Sequence, residues 1–183
     1  MADWRRILNR REDGFPRIMG ILNITPDSFF ADSRVDSVQD AISRAEQMVN
    51  DGADWLDIGG ESTRPGAEPV NSEEELERVI PVIKAVRESF PEVGISVDTR
   101  RSLVAHAAID AGVDMVNDVS ALSDPKMVDE ILQSDLPICI MHMQGLPENM
   151  QNNPDYGDVV AEVRQFLENT TNILLDAGVP ANK

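Results

Sequence analysis

The stretch Met19-Gly-Ile-Leu-Asn-Ile-Thr-Pro-Asp-Ser-Phe29 is an apolar run that stops at Asn23 and passes directly into a polar turn around Pro26. A buried strand that ends in a side-chain amide and opens into a loop is how a barrel or a doubly wound sheet presents a site. Strand ends are also polar for ordinary turn reasons, so this stretch alone leaves both interpretations open. The same pattern recurs downstream, and its recurrence favours a site.

Outward from this stretch, short apolar runs alternate with helical patterns, which predicts βαβ units and a parallel sheet. The strands are predicted at residues 17–23, 54–58, 94–98, 114–117 and 137–141. Ser72 and Glu75 have the spacing of a capping box at a helix start. Asp51-Gly-Ala-Asp, Asp110-Ala-Gly-Val-Asp and Asp176-Ala-Gly-Val-Pro each end a helix and turn toward a strand. We therefore expect an α/β fold, a TIM (β/α)8 barrel of which about the first five βα units are present.

The composition and charge restrict the class of protein. A hydrophobic content of 42% and a charged content of 27% are typical of a soluble globular protein. No apolar run approaches the roughly 20 residues of a membrane span, and the start lacks a secretory signal, so we expect no membrane association. The net charge of −17 argues against non-specific nucleic-acid binding. The single cysteine, Cys139, excludes an internal disulfide and suits a cytoplasmic location.

Four predicted strands end in an Asn or Asp whose position has the parity of inward-facing barrel residues. Barrel enzymes keep their sites at this end of the strands. For any one residue, capping of a turn is about as good an explanation, but four together favour a shared site. The four residues are Asn23, Asp57, Asp98 and Asn117.

These groups suit a flat heterocycle with hydrogen-bonding edges. Asp98 can accept from a ring N–H and an amino group together, and Asn117 can both donate and accept. Ile21 and Met141 are expected to pack on the ring faces. Cys139 is expected to be a small core residue rather than a nucleophile, and His142 is expected to be structural.

A second loop, Gly59-Gly-Glu-Ser-Thr-Arg-Pro-Gly66, carries the hydroxyl of Thr63 and the planar cation of Arg64, which can grip a phosphate or stack on a ring. The loop lacks the Gly-Lys-Ser/Thr of a P-loop. The sequence has no His/Cys cluster for zinc, whereas the side-chain oxygen of Asn23 suits Mg²⁺ held jointly with substrate phosphates.

Five segments together resemble the dihydropteroate synthases of folate biosynthesis: residues 19–29, 57–66, 96–99, 117–122 and 141–145. The similarity runs from about Arg17 to the end of the chain. Members of that family are TIM-barrel transferases that join 6-hydroxymethyl-7,8-dihydropterin diphosphate to 4-aminobenzoate. They release pyrophosphate with the help of Mg²⁺, and they are the target of sulfonamides. The resemblance implies the same substrates, metal and inhibitors here.

By position, the resemblance assigns Asn23 to the metal and the diphosphate, and Asp98 and Asn117 to the pterin edge. Ile21 and Met141 would lie on the pterin faces, and Asp57 would also bind substrate. Asn23, Asp98 and Arg64 are the predicted catalytic residues. The aminobenzoate site would be bordered by Phe29, Thr63, Arg64 and Pro65.

The family also uses an Asp on the sixth strand, a Lys on the seventh and an Arg and a His on the eighth, which have no counterpart before Lys183. We therefore expect residues 1–183 to be a single pterin-binding domain truncated before its sixth strand, inactive alone, and part of a homodimer at full length. Two alternatives stay open. One is a pterin-binding methyltransferase domain on the same barrel, against which the Thr-Pro-Asp-Ser-Phe and Ser-Thr-Arg-Pro-Gly loops argue. The other is a non-catalytic pterin-binding fragment.

Overall fold

The computed structural model describes residues 8–9, 11–24, 34–61, 70–145, 149–150 and 153–183, with the side chains of 34–37 excepted. Strands and helices alternate along these residues, as the sequence predicted. In chain order they are β1 (Met19–Asn23), α1 (Arg34–Asn50), β2 (Trp55–Gly59), α2 (Ser72–Ser89), β3 (Gly94–Asp98), α3 (Ser102–Ala111), β4 (Met115–Asp118), α4 (Met127–Gln133), β5 (Ile138–Ile140) and α5 (Val159–Asp176).

The strands form one parallel sheet in the order β1-β2-β3-β4-β5. A doubly wound sheet reverses its strand order at a switch point, whereas a barrel adds each new strand beside the last one. The observed order is the order of a barrel. The predicted strand positions agree with the observed ones to within two residues, and β5 is shorter than predicted.

One face of the sheet is apolar and is covered by the helices. Successive side chains of a strand point to opposite faces, so alternate positions supply this layer. It is completed by helix residues such as Val79, Ile83 and Val104, which are fully buried. The sheet residues of this layer are Leu22, Leu56, Ile58, Ile95, Val97 and Val116. The polar residues at the strand ends are thereby turned to the opposite face, which we call the inner face.

An aromatic ring fills the inner face at the amino-terminal ends of β2 and β3. Trp55 is paired in register with Gly94 on the neighbouring strand and is only 2% exposed. A Cβ atom added at Gly94 would lie 2.4 Å from Cδ2 of the indole. Only a glycine at position 94 therefore leaves the space that this ring fills.

The three repeated sequences at helix ends adopt one shared geometry. Gly52, Gly112 and Gly178 have φ values of 104°, 96° and 96°, which glycine adopts without the strain that a side chain would cause. In each repeat the residue after the glycine donates its backbone N–H to the carbonyl five residues earlier, at 2.9, 3.2 and 3.0 Å respectively. This is the hydrogen bond of a Schellman motif, and it turns the chain sharply at the end of each helix.

The predicted capping box at α2 was wrong. Asn71 caps this helix, since its side-chain oxygen accepts from the backbone N–H of Glu74 at 2.9 Å. Glu75 is fully buried and forms an ion pair with Arg101 instead of reaching back to the helix start. A buried charge gains more from such a partner than from capping an exposed end.

None of the helices in the described part of the chain combines the length and the apolar character needed to cross a bilayer.

Candidate active site

The polar residues at the strand ends lie in one row across the inner face. Strand pairing places Asn23 beside Gly59, Gly59 beside Asp98, and Asp98 beside Asn117. Cys139 of β5 follows in the same row, next to Asn117. The prediction that these strand ends come together is therefore confirmed. Because the row lies at the carboxyl ends of parallel strands, it occupies the position of a barrel mouth.

A second row lies one layer below the first on the same face. It contains Ile21, Asp57, Ser96 and Met115, each paired in register with the next. Asp57 is therefore not at the rim with the other three predicted polar residues. Ile21, at the β1 end of this row, has 62% of its surface exposed, and Met141, directly after β5, has 37% exposed. Both offer apolar surface near the mouth, from opposite edges of the sheet.

Asp57 is buried, and both of its oxygens accept hydrogen bonds. The hydroxyl of Ser96 donates to Oδ1 at 2.5 Å, and the amide of Asn117 donates from Nδ2 to Oδ2 at 3.0 Å. Burial raises the pKa of Asp57 above its usual value, and the two hydrogen bonds oppose that rise because they stabilise the ionised form.

Asp98 has a different environment at the rim. Its carboxyl group has no hydrogen-bond partner among the residues that the structure describes. Burial, together with the negative charges of Asp57, Glu75, Asp118 and Glu61, raises the pKa of Asp98 to about 7. A half-buried carboxyl group at a strand end, with a pKa near neutral pH and no partner within the described ranges, is a strong candidate for a ligand contact.

Gly59 leaves a space between Asp98 and Asn23. A Cβ atom added at Gly59 would lie 3.4 Å from Oδ2 of Asp98 and 3.6 Å from Oδ1 of Asn23. Two side-chain oxygens thus face the same small volume at the rim. An amide oxygen here suits Mg²⁺, which commonly takes one or two protein ligands and completes its shell with water and phosphate oxygens. Within the described ranges, no group of three or more His, Cys, Asp or Glu side chains could hold a metal ion.

A charged cluster that the sequence analysis missed lies beside the mouth. Arg101 donates to both oxygens of Glu61 at 3.0 Å and also pairs with the buried Glu75. Arg100 grips Glu61 through Nε at 2.9 Å and Nη2 at 3.1 Å. Burial alone would raise the pKa of Glu61, but the hydrogen bonds from Arg100 and Arg101 lower it to about 2. The cluster could have been predicted from the two adjacent arginines that follow Asp98 and Thr99 in the sequence.

This cluster also joins the end of β2 to the start of α2. Oε1 of Glu61 accepts from the backbone N–H of Val70 at 3.1 Å, and Arg101 donates to the carbonyl of Val70. Glu61 follows β2 and Val70 precedes α2. The predicted site residues Thr63, Arg64 and Pro65 belong to the segment between them, and this segment and Phe29 lie outside the described residues. Their roles stay predictions.

The structure contradicts the prediction made for Cys139 and agrees with the one made for His142. Cys139 is exposed, so its assignment to the core was wrong: its side chain lies on the inner face of the last strand of the sheet, away from the helices. Partial burial of the sulfur and the charges of Asp57 and Asp98 raise the pKa of its thiol, which disfavours a nucleophilic thiolate. The ring of His142 meets Phe166 edge-on at a centroid distance of 4.9 Å, which agrees with a structural role.

Sequential parallel strands with converging polar groups at their carboxyl ends define a βα-barrel protein with a candidate ligand site at the mouth. The chain belongs to the pterin binding enzyme family, whose sequence profile matches residues 19–183. It is 48% identical over 164 residues to the dihydropteroate synthase of Haemophilus influenzae, covering 90% of this chain and 59% of the relative. It is 49% identical over 154 residues to that of Escherichia coli strain K12, covering 84% of this chain and 54% of the relative.

Solved structures give the same result for the fold. The Yersinia pestis dihydropteroate synthase in complex with a sulfonamide drug superposes with a TM-score of 0.82 at 40% identity, covering 90% of this chain and 60% of that one. The Burkholderia cenocepacia enzyme complexed with 7,8-dihydropteroate superposes with a TM-score of 0.78 at 47% identity. The superposition covers 91% of this chain and 56% of that one. The fold is thus part of a TIM barrel. The chain spans little more than half the length of these relatives.

Proposed function

We propose that the protein is a dihydropteroate synthase, a transferase that joins 6-hydroxymethyl-7,8-dihydropterin diphosphate to 4-aminobenzoate with release of pyrophosphate. The observation that carries the proposal is the carboxyl of Asp98, which lies beside Asn117 at the barrel mouth with no hydrogen-bond partner in the described part of the chain. The similarity to dihydropteroate synthases over most of the chain supports the choice of reaction.

The proposed pterin contacts follow from hydrogen-bonding chemistry. The edge of a pterin carries an amino group next to a ring N–H, and these two donors match a carboxylate that accepts two hydrogen bonds. Asp98 is proposed to accept from both donors, and Asn117 to extend the contact along the edge. Ile21 and Met141 are proposed to cover the ring faces with their exposed apolar surface.

The diphosphate is proposed to lie over β1, where Asn23 offers its amide oxygen. Mg²⁺ held jointly by Asn23 and the substrate phosphates would stabilise the negative charge that develops on the departing pyrophosphate. Arg64 is proposed to add a cation for the same charge, because Arg100 and Arg101 are already engaged by Glu61. The formal charge of −17 would otherwise repel an anionic substrate.

The arylamine is proposed to bind against Phe29, Thr63, Arg64 and Pro65, by resemblance to the family. Holding the amine beside the methylene carbon of the pterin converts an encounter in solution into a reaction between oriented neighbours. Sulfonamides are proposed as inhibitors, since a relative has been solved in complex with one. A cytoplasmic location, a homodimer and a single pterin-binding domain over residues 1–183 are proposed on the family resemblance.

The test is release of pyrophosphate by the full-length protein from the pterin diphosphate. We expect release only when 4-aminobenzoate and Mg²⁺ are both present, and loss of release in the Asp98→Ala variant. Equal release without 4-aminobenzoate would identify a hydrolase instead. Binding of methyltetrahydrofolate with no release of pyrophosphate would favour the methyltransferase alternative.

A further inference from the structure

Among the four polar residues predicted at the strand ends, Asp57 is the one that lies below the rim. It is 5% exposed, and each of its oxygens accepts from another strand, one from Ser96 on the adjacent β3 and one from Asn117 on β4. Ser96, one of these donors, is fully buried at the same level of the sheet. A side chain enclosed in this way has little surface left for a ligand in the mouth above it.

The contact with Asp57 fixes which way the amide of Asn117 points. The two ends of an asparagine amide look alike in shape, and their assignment depends on the hydrogen bonds they make. Both oxygens of Asp57 act as acceptors here, so the group of Asn117 that faces Asp57 must be its NH₂. The amide oxygen of Asn117 is therefore the end of the amide that does not face Asp57.

The same carboxyl group acts on Asp98 through its charge. Asp57 is the largest of the charged contributors that raise the pKa of Asp98, after burial itself. The other charges that act on Asp98 are those of Glu75, Asp118 and Glu61. Asp57 thus influences both rim residues that are proposed to meet the pterin edge.

We propose that Asp57 is a positioning residue, which acts on the ligand through Asn117 by turning the amide oxygen of Asn117 toward the mouth, and which does not itself contact the ligand. Ser96 holds Asp57 in place for this task. The inference rests on the proposed function for the identity of the ligand. It replaces the direct substrate contact expected for Asp57 from the sequence with an indirect one.

The first arm of the test measures the affinity of the full-length protein for 7,8-dihydropteroate by calorimetry at pH 8, where Asp98 is largely ionised. Asp57→Ala leaves the amide of Asn117 unfixed, and we expect binding about tenfold weaker. Asp57→Asn can still accept from Asn117, so we expect binding within about threefold of the wild type. In an Asn117→Ala background, Asp57→Ala should change the affinity less than about twofold, since coupled residues are not additive.

Asp114→Asn is the matched control. Asp114 is a buried aspartate of the same sheet but lies directly before β4, at the opposite end from the mouth. Its substitution should lower the melting temperature and leave the ligand affinity unchanged. Should Asp57→Ala fail to fold, Ser96→Ala takes its place, with an expected loss of about threefold that vanishes in the Asn117→Ala background.

The second arm needs no ligand. In NMR spectra of the free protein, the side-chain amide protons of Asn117 should exchange with water faster in Asp57→Ala than in Asp57→Asn. The pKa of Asp98 should fall in both variants, because both remove the charge of Asp57. Additive losses in the double variant, or equal losses in Asp57→Ala and Asp57→Asn, would overturn the inference. If the wild type binds no dihydropteroate, the proposed function fails, and the exchange rates of the Asn117 amide alone decide the inference.

Discussion

Asp54 and Asp114 make the same contact at the amino-terminal ends of two different strands. Asp54, before β2, accepts from the backbone N–H of Ile18 at 2.9 Å, and Asp114, before β4, accepts from that of Ile95 at 2.9 Å. Each also forms an ion pair with arginine, Asp54 with Arg17 at 2.7 Å and Asp114 with Arg87. Both aspartates come from the repeated sequence at a helix-ending glycine, so in these two repeats the aspartate joins the new strand to the chain of the strand before it.

The first prediction concerns the stability that this contact provides. Asp114→Asn weakens the ion pair with Arg87, which is itself largely buried, and leaves that charge poorly compensated. We expect the free energy of unfolding to fall by about 2–3 kcal/mol, measured by chemical denaturation. Asp110→Asn, at a largely exposed site on the preceding helix, is the control and should change it by less than about 0.5 kcal/mol. Equal effects of the two substitutions would contradict the prediction.

The second prediction is a pH dependence of pterin binding set by Asp98. Its pKa of about 7 means that the carboxylate, the form able to accept two hydrogen bonds, becomes the main form only above neutral pH. Affinity should therefore rise about tenfold between pH 6 and pH 8. Asp98→Asn should bind more weakly and should lose this dependence. A wild-type affinity that stays flat over this range would remove Asp98 from the pterin contact.

The same group should also affect the stability of the ligand-free protein. A carboxyl whose pKa is higher in the folded state than its usual 3.8 holds its proton longer when folded, so its contribution to stability falls as the pH rises. The window is from about pH 4 to about pH 7. Denaturation of the wild type and of Asp98→Asn across this window should show a steeper decline in the wild type. Parallel curves would show that Asp98 is not the group responsible.

The third prediction concerns Arg101. Arg101→Met removes the cationic partner of the fully buried Glu75 and one of the two arginines that hold Glu61. We expect a loss of about 3–5 kcal/mol in the free energy of unfolding, since an uncompensated charge is left buried. Lys84→Met, at an exposed site of α2, is the control and should cost less than about 0.5 kcal/mol. A loss below 1 kcal/mol for Arg101→Met would show that the cluster contributes little to stability.

The fourth prediction tests the space at Gly59. Gly59→Ala places a methyl group 3.3 Å from Cβ of Asp98 and close to the amide oxygen of Asn23. The protein should fold, but its Mg²⁺-dependent affinity for the pterin diphosphate should fall about tenfold through displacement of these side chains. The control is Gly157→Ala, whose new methyl group would meet the side-chain oxygen Oε1 of Glu162 at an ordinary distance of 3.5 Å. Retained affinity in Gly59→Ala would argue against a ligand in this space.

Much of the fold could be predicted because the signals for it are local. The alternation of apolar runs with helical patterns, and the glycines that end helices, each act within a few residues of the chain. Placing Asn23, Asp98 and Asn117 together needed only the rule that parallel strands bring their carboxyl ends to one edge. The structure confirmed this convergence, and the individual roles of these residues stay predictions.

The contacts that the sequence did not reveal all depend on register or on distant parts of the chain. The bond between Asp57 and Asn117 joins residues 60 positions apart and depends on how β2, β3 and β4 align. The cluster around Glu61 combines residues from three separate segments. The capping box failed for the same reason, because Glu75 has a long-range partner that local spacing does not show.

Because Trp55 packs against Gly94, its intrinsic fluorescence can report on the state of the sheet. Residues 1–183 contain two tryptophans, and replacing Trp4 with phenylalanine would leave Trp55 as the only tryptophan among them. This ring lies in the same strand as Asp57, two residues away and on the same face. Its emission would report, without any label, whether β2 and β3 are joined, and it would separate a variant that has lost its ligand from one that has lost its sheet.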